Sequence, residues 1–331
     1  MINKNAHLNP LVLKKSLEEK STRDGYGEGL VLAGEADKSV VVLTADLGES
    51  TRCLAFKENF PDRFFEVGVA EQALVTVASG LANYGKIPFI NSFAVFSPGR
   101  NWEQIRTTVA INNFPVKIAG HHAGLSIGED GATHQALEDL ALMRVLPNMT
   151  VIVPADYEEA KKATMAALDI KGPVYLRFTR LKAPTLTTPE SPFEIGKANV
   201  LWENKDPKVT IIACGPLVYE ALKAARILAK SKIGSLVINC HTIKPLDSQT
   251  IVRAAKTTGC VVTVEDHQIS GGLGSAIAEV LSQNFPVPIE MVGVDDSFGE
   301  SGTSKELLKK YGLTAKDIVS AAKRSIKRRV V

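Results

Sequence analysis

Short β-rich apolar runs recur along this chain with helix-like stretches between them, and that alternation limits the fold more than any other feature. Val40–Leu43, Phe64–Val67, Pro88–Ile90, Val116–Ala119, Thr150–Val153 and Val174–Phe178 read as strands. Glu71–Tyr84 and Tyr157–Leu168 read as helices. Such alternation predicts a parallel sheet covered by helices on both faces. The segment LKAPTLTTPESPFEIG (Leu181–Gly196) carries Pro184, Pro189 and Pro192 with little periodicity, so it reads as a linker. A second alternation follows at Thr210–Ala213, Leu236–Ile238, Val261–Val264 and Ile289–Val292. The expected fold is α/β with two doubly wound domains, residues 1–190 and 191–331, which a chain of 331 residues accommodates.

Composition removes several function classes. Hydrophobic residues make up 45% and charged residues 23%, enough apolar surface for a packed core, so disorder is not the expected state. A net charge of +3 does not call for nucleic acid. No apolar run approaches the roughly 18 residues of a membrane span. The stretch MINKNAHLNPLVLKKSLEEK lacks the apolar core and small-residue cleavage site of a signal peptide. Cys53, Cys214, Cys240 and Cys260 show no C-x-x-C spacing, which argues against a zinc ribbon, a redox motif or a disulfide framework. A reducing cytoplasm is the expected compartment.

Three stretches of the first domain carry the chemistry. In FFEVGVAEQALVTVASGLANYG, Glu71 follows a strand at the first turn of a helix whose apolar face is expected from Val69, Ala73, Leu74, Val77, Ala78 and Leu81. Glu71 either complements the positive end of the helix dipole or is a carboxyl among apolar side chains. In the second case lost solvation raises its pKa, so that it donates a proton near neutrality. In INSFAVFSPGRNWEQIR, Phe93 and Phe96 stand just past a strand end, where aromatics either pack in the core or stack on a flat heterocycle. In HHAGLSIGEDGATHQALEDL, His121, His122, Asp130 and His134 lie among glycines and small residues. Loops at strand ends are where sites lie in open α/β sheets. Metal ligation, substrate binding and a solvated loop are all open there, although the spacings match no zinc motif such as H-E-x-x-H.

Two further features have plain readings. SGGLGS (Ser270–Ser275) lacks the third glycine of a dinucleotide loop and reads as the glycine-rich start of a helix. The basic tail KRSIKRRVV suits the C-terminal end of a helix dipole, with binding to nucleic acid or an acidic partner as the other reading.

Taken in order, STRDGYGEGL, TADLGEST, RFFEVGVAEQ, SFAVF, HHAGLSIGEDGATHQALEDL, LPNMTVIVPAD and VYLRFTR resemble transketolase. The likeness is to its pyrimidine-binding domain followed by its C-terminal domain, the latter through VEDHQISGGLGSAIAE, and it runs from about Ser21 to the end of the chain. Thiamine-diphosphate enzymes of this type hold the diphosphate and magnesium through a G-D-G motif with a downstream Asn, and no G-D-G occurs here. The resemblance therefore implies a split enzyme. This chain would be one subunit, the diphosphate-binding domain with its Mg2+ or other divalent cation would be a separate polypeptide, and two copies of each would assemble about a homodimer core.

By resemblance, Glu71 bonds N1′ of the cofactor's aminopyrimidine, Phe96 stacks on that ring with Phe93 beside it, and Asp46 is an acidic position near the cofactor. The family's third aromatic falls at Gly99. His122 and Asp130 match positions that bond sugar hydroxyls, His134 matches another active-site histidine, and the resemblance implies that these residues assist proton transfer. Arg23, Ser50 and Arg180 match positions that hold a sugar phosphate. The implied reaction moves a two-carbon ketol unit from a ketose phosphate to an aldose phosphate, in pentose phosphate metabolism. No metal ligand is assigned to this chain.

Other classes leave different marks. 1-Deoxy-D-xylulose-5-phosphate synthase also resembles the G-x-A-E-Q and D-G-x-T-H stretches but carries an arginine where His121–His122 stands. The β subunit of a 2-oxoacid dehydrogenase likewise lacks G-D-G but has a different loop in place of GEDGATHQ. A non-catalytic protein on this fold has no need to keep Glu71 together with the histidine and arginine set.

Overall fold

Residues that alternate between two helical layers define the first sheet in the computed structural model, which describes residues 1–14 and 16–329. Its first part contains β1 (Glu19–Ser21), α1 (Thr22–Ala36), β2 (Val40–Thr44), α2 (Leu54–Asn59), β3 (Phe64–Glu66), α3 (Glu71–Asn83), β4 (Ile87–Phe93), α4 (Trp102–Gln104), β5 (Lys117–His121), α5 (Asp139–Arg144), β6 (Thr150–Ile152), α6 (Tyr157–Ala166), β7 (Val174–Arg177) and β8 (Lys182–Pro184). The second part contains β9 (Asn199–Glu203), β10 (Val209–Ala213), α7 (Leu217–Lys230), β11 (Ser235–Asn239), β12 (Thr242–Lys244), α8 (Ser248–Thr258), β13 (Val261–Gln268), α9 (Leu273–Asn284), β14 (Ile289–Val294), α10 (Ser304–Lys310) and α11 (Ala315–Lys327).

Seven strands form the first sheet in the order β12-β6-β7-β5-β4-β2-β3, parallel except for β12. Successive side chains of a strand point to opposite faces. Val41 and Leu43 thus pack with Leu74, Val75 and Ala78 of α3. Val40 and Val42 pack with Leu30 of α1, Phe56 of α2 and Ala163 of α6. The second sheet is ordered β14-β13-β10-β11-β9, with β9 antiparallel. Ile211 and Ala213 face α7 and α11, and Ile212 faces α8 and α9. The α/β class with two sheets wound on both faces is what the strand and helix alternation predicts.

Some segments pack in ways the alternation does not announce. The proline-rich stretch between the two sheets is strapped down. Its Lys182–Pro184 pairs with β1, and the buried Asp156 carboxylate accepts from the Leu186 and Thr187 N–H groups at 2.7 and 2.6 Å. Prolines keep that stretch from building its own ladder, so a buried side chain satisfies its amides. Residues near the N-terminus lie on the second sheet, with Asn3 N–H bonded to Leu201 O at 2.9 Å and Leu8, Val12 and Leu17 in its core. In return, β12 adds to the edge of the first sheet.

The glycine-rich stretch does start a helix, α9. The Glu265 carboxylate accepts from the Leu273 and Gly274 N–H groups at 2.6 and 2.8 Å, so an internal anion occupies the place a phosphate takes in dinucleotide folds. Arg324 and Arg328 of the basic tail are matched by Glu290, at 2.8 and 2.7 Å; Val330 and Val331 lie outside the described residues. No helix among the described residues is long and apolar enough to cross a membrane.

Candidate active site

Parallel strands β2, β4, β5 and β7 lie side by side and end together, with Thr44 opposite Asn91, Phe93 opposite His121 and Gly120 opposite Arg177. Loops leaving those ends converge, which is where open α/β sheets bind ligands. The β4 end is fixed by a buried amide: Asn91 accepts from Tyr26 Oη–H at 2.6 Å and donates to Leu43 O at 3.0 Å.

Glu71 is the first residue of α3 and only 4% exposed. Its surroundings differ from the expected apolar pocket. Arg100 Nη1 lies 3.1 Å from both carboxylate oxygens, and Asn101 Nδ2 donates to the Glu71 backbone O at 2.9 Å. The buried stripe of α3 is Leu74, Val75, Ala78 and Ala82, whereas Val69 and Val77 are exposed. The helix is thus rotated from the expected face, because its strand-facing residues are set by contact with Val41 and Leu43.

The Arg100 guanidinium lies 4.0 Å from the centroid of the Phe96 ring. Phe96 and Phe93 are stacked with centroids 5.8 Å apart, and Phe93 in turn stacks on His122 at 4.1 Å. His134 meets Phe96 edge-on at 5.4 Å. Gly99 is required by close packing: a Cβ there would sit 1.9 Å from Val95 O.

Beside this stack is a cleft of about 370 Å³ lined by Arg23, Glu49, Ser50, Arg52, Phe93, His122, Asp130 and Arg180. Arg23 Nη1 donates to Ser50 O at 2.8 Å and to His122 Nε2 at 2.9 Å. A guanidinium cannot accept, so Nε2 carries the lone pair and Nδ1 the proton. That Nδ1 is buried without a partner among the described residues. Burial, then Arg23 and Arg180, push the His122 pKa down to about 3. Arg23 itself is held below its usual range by burial and by Arg52, with Arg180 adding to the effect. Crowded cations with an unpaired N–H suit an anionic, oxygen-rich ligand. Arg180 stands 3.6 Å from Asp130, and Arg52 is tied to Asp24 at 2.8 Å.

The structure therefore brings Arg23, Ser50, Phe93, His122, Asp130 and Arg180 to one cleft and gathers Glu71, Phe96 and His134 around the aromatic stack. Asp46 is exposed outside the cleft lining, at φ 60°, with its N–H bonded to Glu66. His121 is fully buried against Tyr26 and Phe178, a core residue rather than part of the polar loop. No three His, Cys, Asp or Glu among the described residues are placed to hold a metal ion. Sequence reasoning passed over Arg100, Arg52 and Asn101. Arg100 had a signal, a cation four residues beyond an aromatic in SFAVFSPGR.

The loop that carries Asp130 and His134 is held by the second domain. Asp266 Oδ1 accepts from Leu125 N–H at 2.9 Å, Ser304 donates to Ser126 O at 2.8 Å, and Gln135 donates to Glu300 O at 3.0 Å. Buried Arg177 ties the domains together, donating to Asp139 at 2.8 Å and to Asp266 O at 2.9 Å.

Comparison with known proteins adds a family. The description "Transketolase, pyrimidine binding domain" matches residues 18–185, and "Transketolase, C-terminal domain" matches residues 196–318. The chain is 44% identical over 320 residues to a Methanocaldococcus jannaschii protein described as a transketolase C-terminal section, covering 96% of this chain and 100% of that one. It is 44% identical over 306 residues to the 6-deoxy-6-sulfo-D-fructose transketolase subunit SqwH of Clostridium sp. (strain MSTE9), covering 92% and 94%. A solved structure described as split gene transketolase, inactive beta4 tetramer, is 47% identical with a TM-score of 0.87, covering 94% of this chain and 99% of that one. The chain spans about half the length of the mammalian transketolases it also matches.

Proposed function

From the premise that this chain belongs to the transketolase family, we propose that it is the pyrimidine-binding and C-terminal subunit of a two-subunit ketol transferase that uses thiamine diphosphate. The observation that carries this reading is the pairing of a buried carboxylate, Glu71, with the half-open face of Phe96, next to a cleft walled by three arginines. A flat heterocycle with a ring nitrogen for Glu71 fits there, since a planar nitrogen group of this chain, the Arg100 guanidinium, already bonds Glu71 and lies on Phe96. The cofactor supplies the carbon nucleophile that lets the bond beside a ketose carbonyl break and re-form.

This chain's residues then have distinct tasks. Glu71 holds a proton at N1′ of the pyrimidine. Phe96, with Phe93 behind it, fixes the plane of that ring and excludes water from one face. His122 offers its Nδ1 proton to a substrate oxygen, with Asp130 and His134 at neighbouring oxygens. Arg23, Ser50 and Arg180 hold the terminal oxyanion of the sugar through charge-assisted bonds. Phosphate and sulfonate share that chemistry, so sugar phosphates of pentose metabolism are the substrates proposed here, and the sulfosugar acted on by the Clostridium relative is the alternative donor. Asp46 is proposed as an acidic neighbour of the cofactor.

The diphosphate and its divalent cation belong to a separate chain in this reading, with two copies of each subunit in the cytoplasm. A relative whose β4 tetramer is inactive supports the need for that second chain. Co-purification with candidate diphosphate-binding chains, followed by a ketol-transfer assay with thiamine diphosphate and magnesium, tests the proposal. Transfer is expected only from the complex. Turnover by this chain alone, or pyruvate-dependent carbon dioxide release by the complex without consumption of a ketose donor, would overturn it.

A further inference from the structure

Arg100 is half-exposed, yet its guanidinium makes two directed contacts. It bonds both oxygens of the buried Glu71 carboxylate at 3.1 Å and lies over Phe96 at 4.0 Å. Among the described residues its side-chain hydrogen bonds go to Glu71 alone. The backbone that presents it is pinned, with Arg100 N–H bonded to Phe96 O at 2.8 Å and no room for a side chain at Gly99. A guanidinium is a rigid plane edged with N–H donors that stacks readily on an aromatic face. An aminopyrimidine is also a flat ring with nitrogen at its edge. The contacts made here by arginine are those the proposed function gives to the cofactor's ring.

We propose that Arg100 is an internal stand-in for the aminopyrimidine ring, filling its place between Glu71 and Phe96 and thereby setting the affinity of the subunit for the cofactor. This inference rests on the proposed cofactor site. Ring and guanidinium cannot occupy one place together, so the cofactor binds only the fraction of molecules in which Arg100 has swung out. Apparent affinity falls in proportion to that fraction. Because the arginine is half in solvent, its hold on the site is modest. Removing it is expected to tighten binding roughly three- to tenfold.

The test uses the complex with its diphosphate-binding partner and titrates thiamine diphosphate, with magnesium constant, by calorimetry. Wild type is compared with Arg100→Ala and Arg100→Lys, and the melting temperature is recorded with and without cofactor. Arg100→Ala is expected to bind more tightly and to gain more in melting temperature from the cofactor than wild type does. Arg100→Lys, which keeps the charge but not the plane, is expected to fall between them. Equal or weaker binding by Arg100→Ala would overturn the stand-in. Glu71→Ala made in the Arg100→Ala background tests the ring site apart from the arginine. Cofactor binding unaffected by that change discards the ring site itself, whereas weakened binding there together with unchanged binding in Arg100→Ala alone discards only the role of Arg100.

Discussion

Arg23 and His122 meet with Nη1 and Nε2 2.9 Å apart. The contact forces the imidazole to accept on one nitrogen and to carry its proton on the other. It also places a permanent cation beside a buried ring, and the ring answers by remaining neutral.

A pH consequence follows from the His122 pKa being pushed down to about 3, first by burial and then by Arg23 and Arg180. The imidazole resonances of His122 are expected to stay unchanged from pH 8 to pH 5 in an NMR titration. An unfolded histidine takes its proton at about 6.5. Between that value and about 3 the unfolded chain binds a proton that the folded chain refuses, so this group's contribution to stability is lost as pH falls through that window. Arg23→Met is expected to raise the midpoint only part of the way, because burial is the larger cause. A His122 midpoint near 6.5 in the wild-type protein would contradict the geometry.

On the proposed assignment the same cleft reads substrate charge. Arg180→Ala would then remove a bond to an anionic group remote from the reacting carbon, whereas Arg23→Ala would also release His122 Nε2. A charge-assisted hydrogen bond contributes about 1.5–3 kcal/mol, which is roughly a ten- to hundredfold change in affinity. Steady-state kinetics of the complex should show that change mainly in KM, since the remote contact is the same in ground and transition states. An uncharged ketose should respond far less. Equal losses with charged and uncharged donors would remove the oxyanion assignment.

Gly99 gives a stability prediction. A methyl group there would meet Val95 O at 1.9 Å, so the turn from Phe93 to Arg100 must shift to admit it. Gly99→Ala is expected to cost about 1–3 kcal/mol, the range for overpacking a close-packed site. Thermal unfolding of this chain measures that loss, and an unchanged melting temperature would show that the turn accommodates a Cβ.

Central parallel strands were legible because Val40–Thr44, Val174–Arg177 and Val209–Ala213 bury every residue, leaving short apolar runs between helices. Glu71 was legible as a carboxylate opening a helix, and Phe93 and Phe96 as aromatics leaving a strand. What stayed hidden depends on distant partners. Arg100 meets Glu71 across 29 positions, Asp156 reaches Leu186 across 30, and Arg177 reaches Asp266 across 89. Such contacts leave no periodicity. Thr242–Lys244 is too short to mark itself as a strand of the other sheet, and the face turned inward by α3 was fixed by the sheet rather than by its own apolar residues.

Arg177 anchors the junction between the two sheets from a fully buried position, with Asp139 and Tyr175 around it. Arg177→Met would leave the Asp139 charge buried without its cation, and breaking a buried pair in this way costs about 3–5 kcal/mol. Thermal unfolding should show that drop, and the double variant Arg177→Met with Asp139→Leu should recover part of it. If the single variant melts with the wild type, the junction is held by the apolar contacts alone.

Glu71→Gln isolates the proton from the shape of the site. Glutamine keeps the size of the side chain and can still bond a ring nitrogen through its amide, but it holds no transferable proton. If Glu71 controls a proton at the pyrimidine, ketol transfer by the complex should fall by about 10²–10⁴, the span for a lost general acid or base. The loss should lie in kcat, because the cleft lined by Arg23 and Arg180, proposed to hold the substrate's oxyanion, is untouched. The same variant also frees Arg100 from its ion pair, so its stability without cofactor, measured by unfolding, should match wild type to within about 1 kcal/mol because the arginine is half in solvent. Full activity in Glu71→Gln would show that the carboxyl is there for the arginine rather than for the reaction.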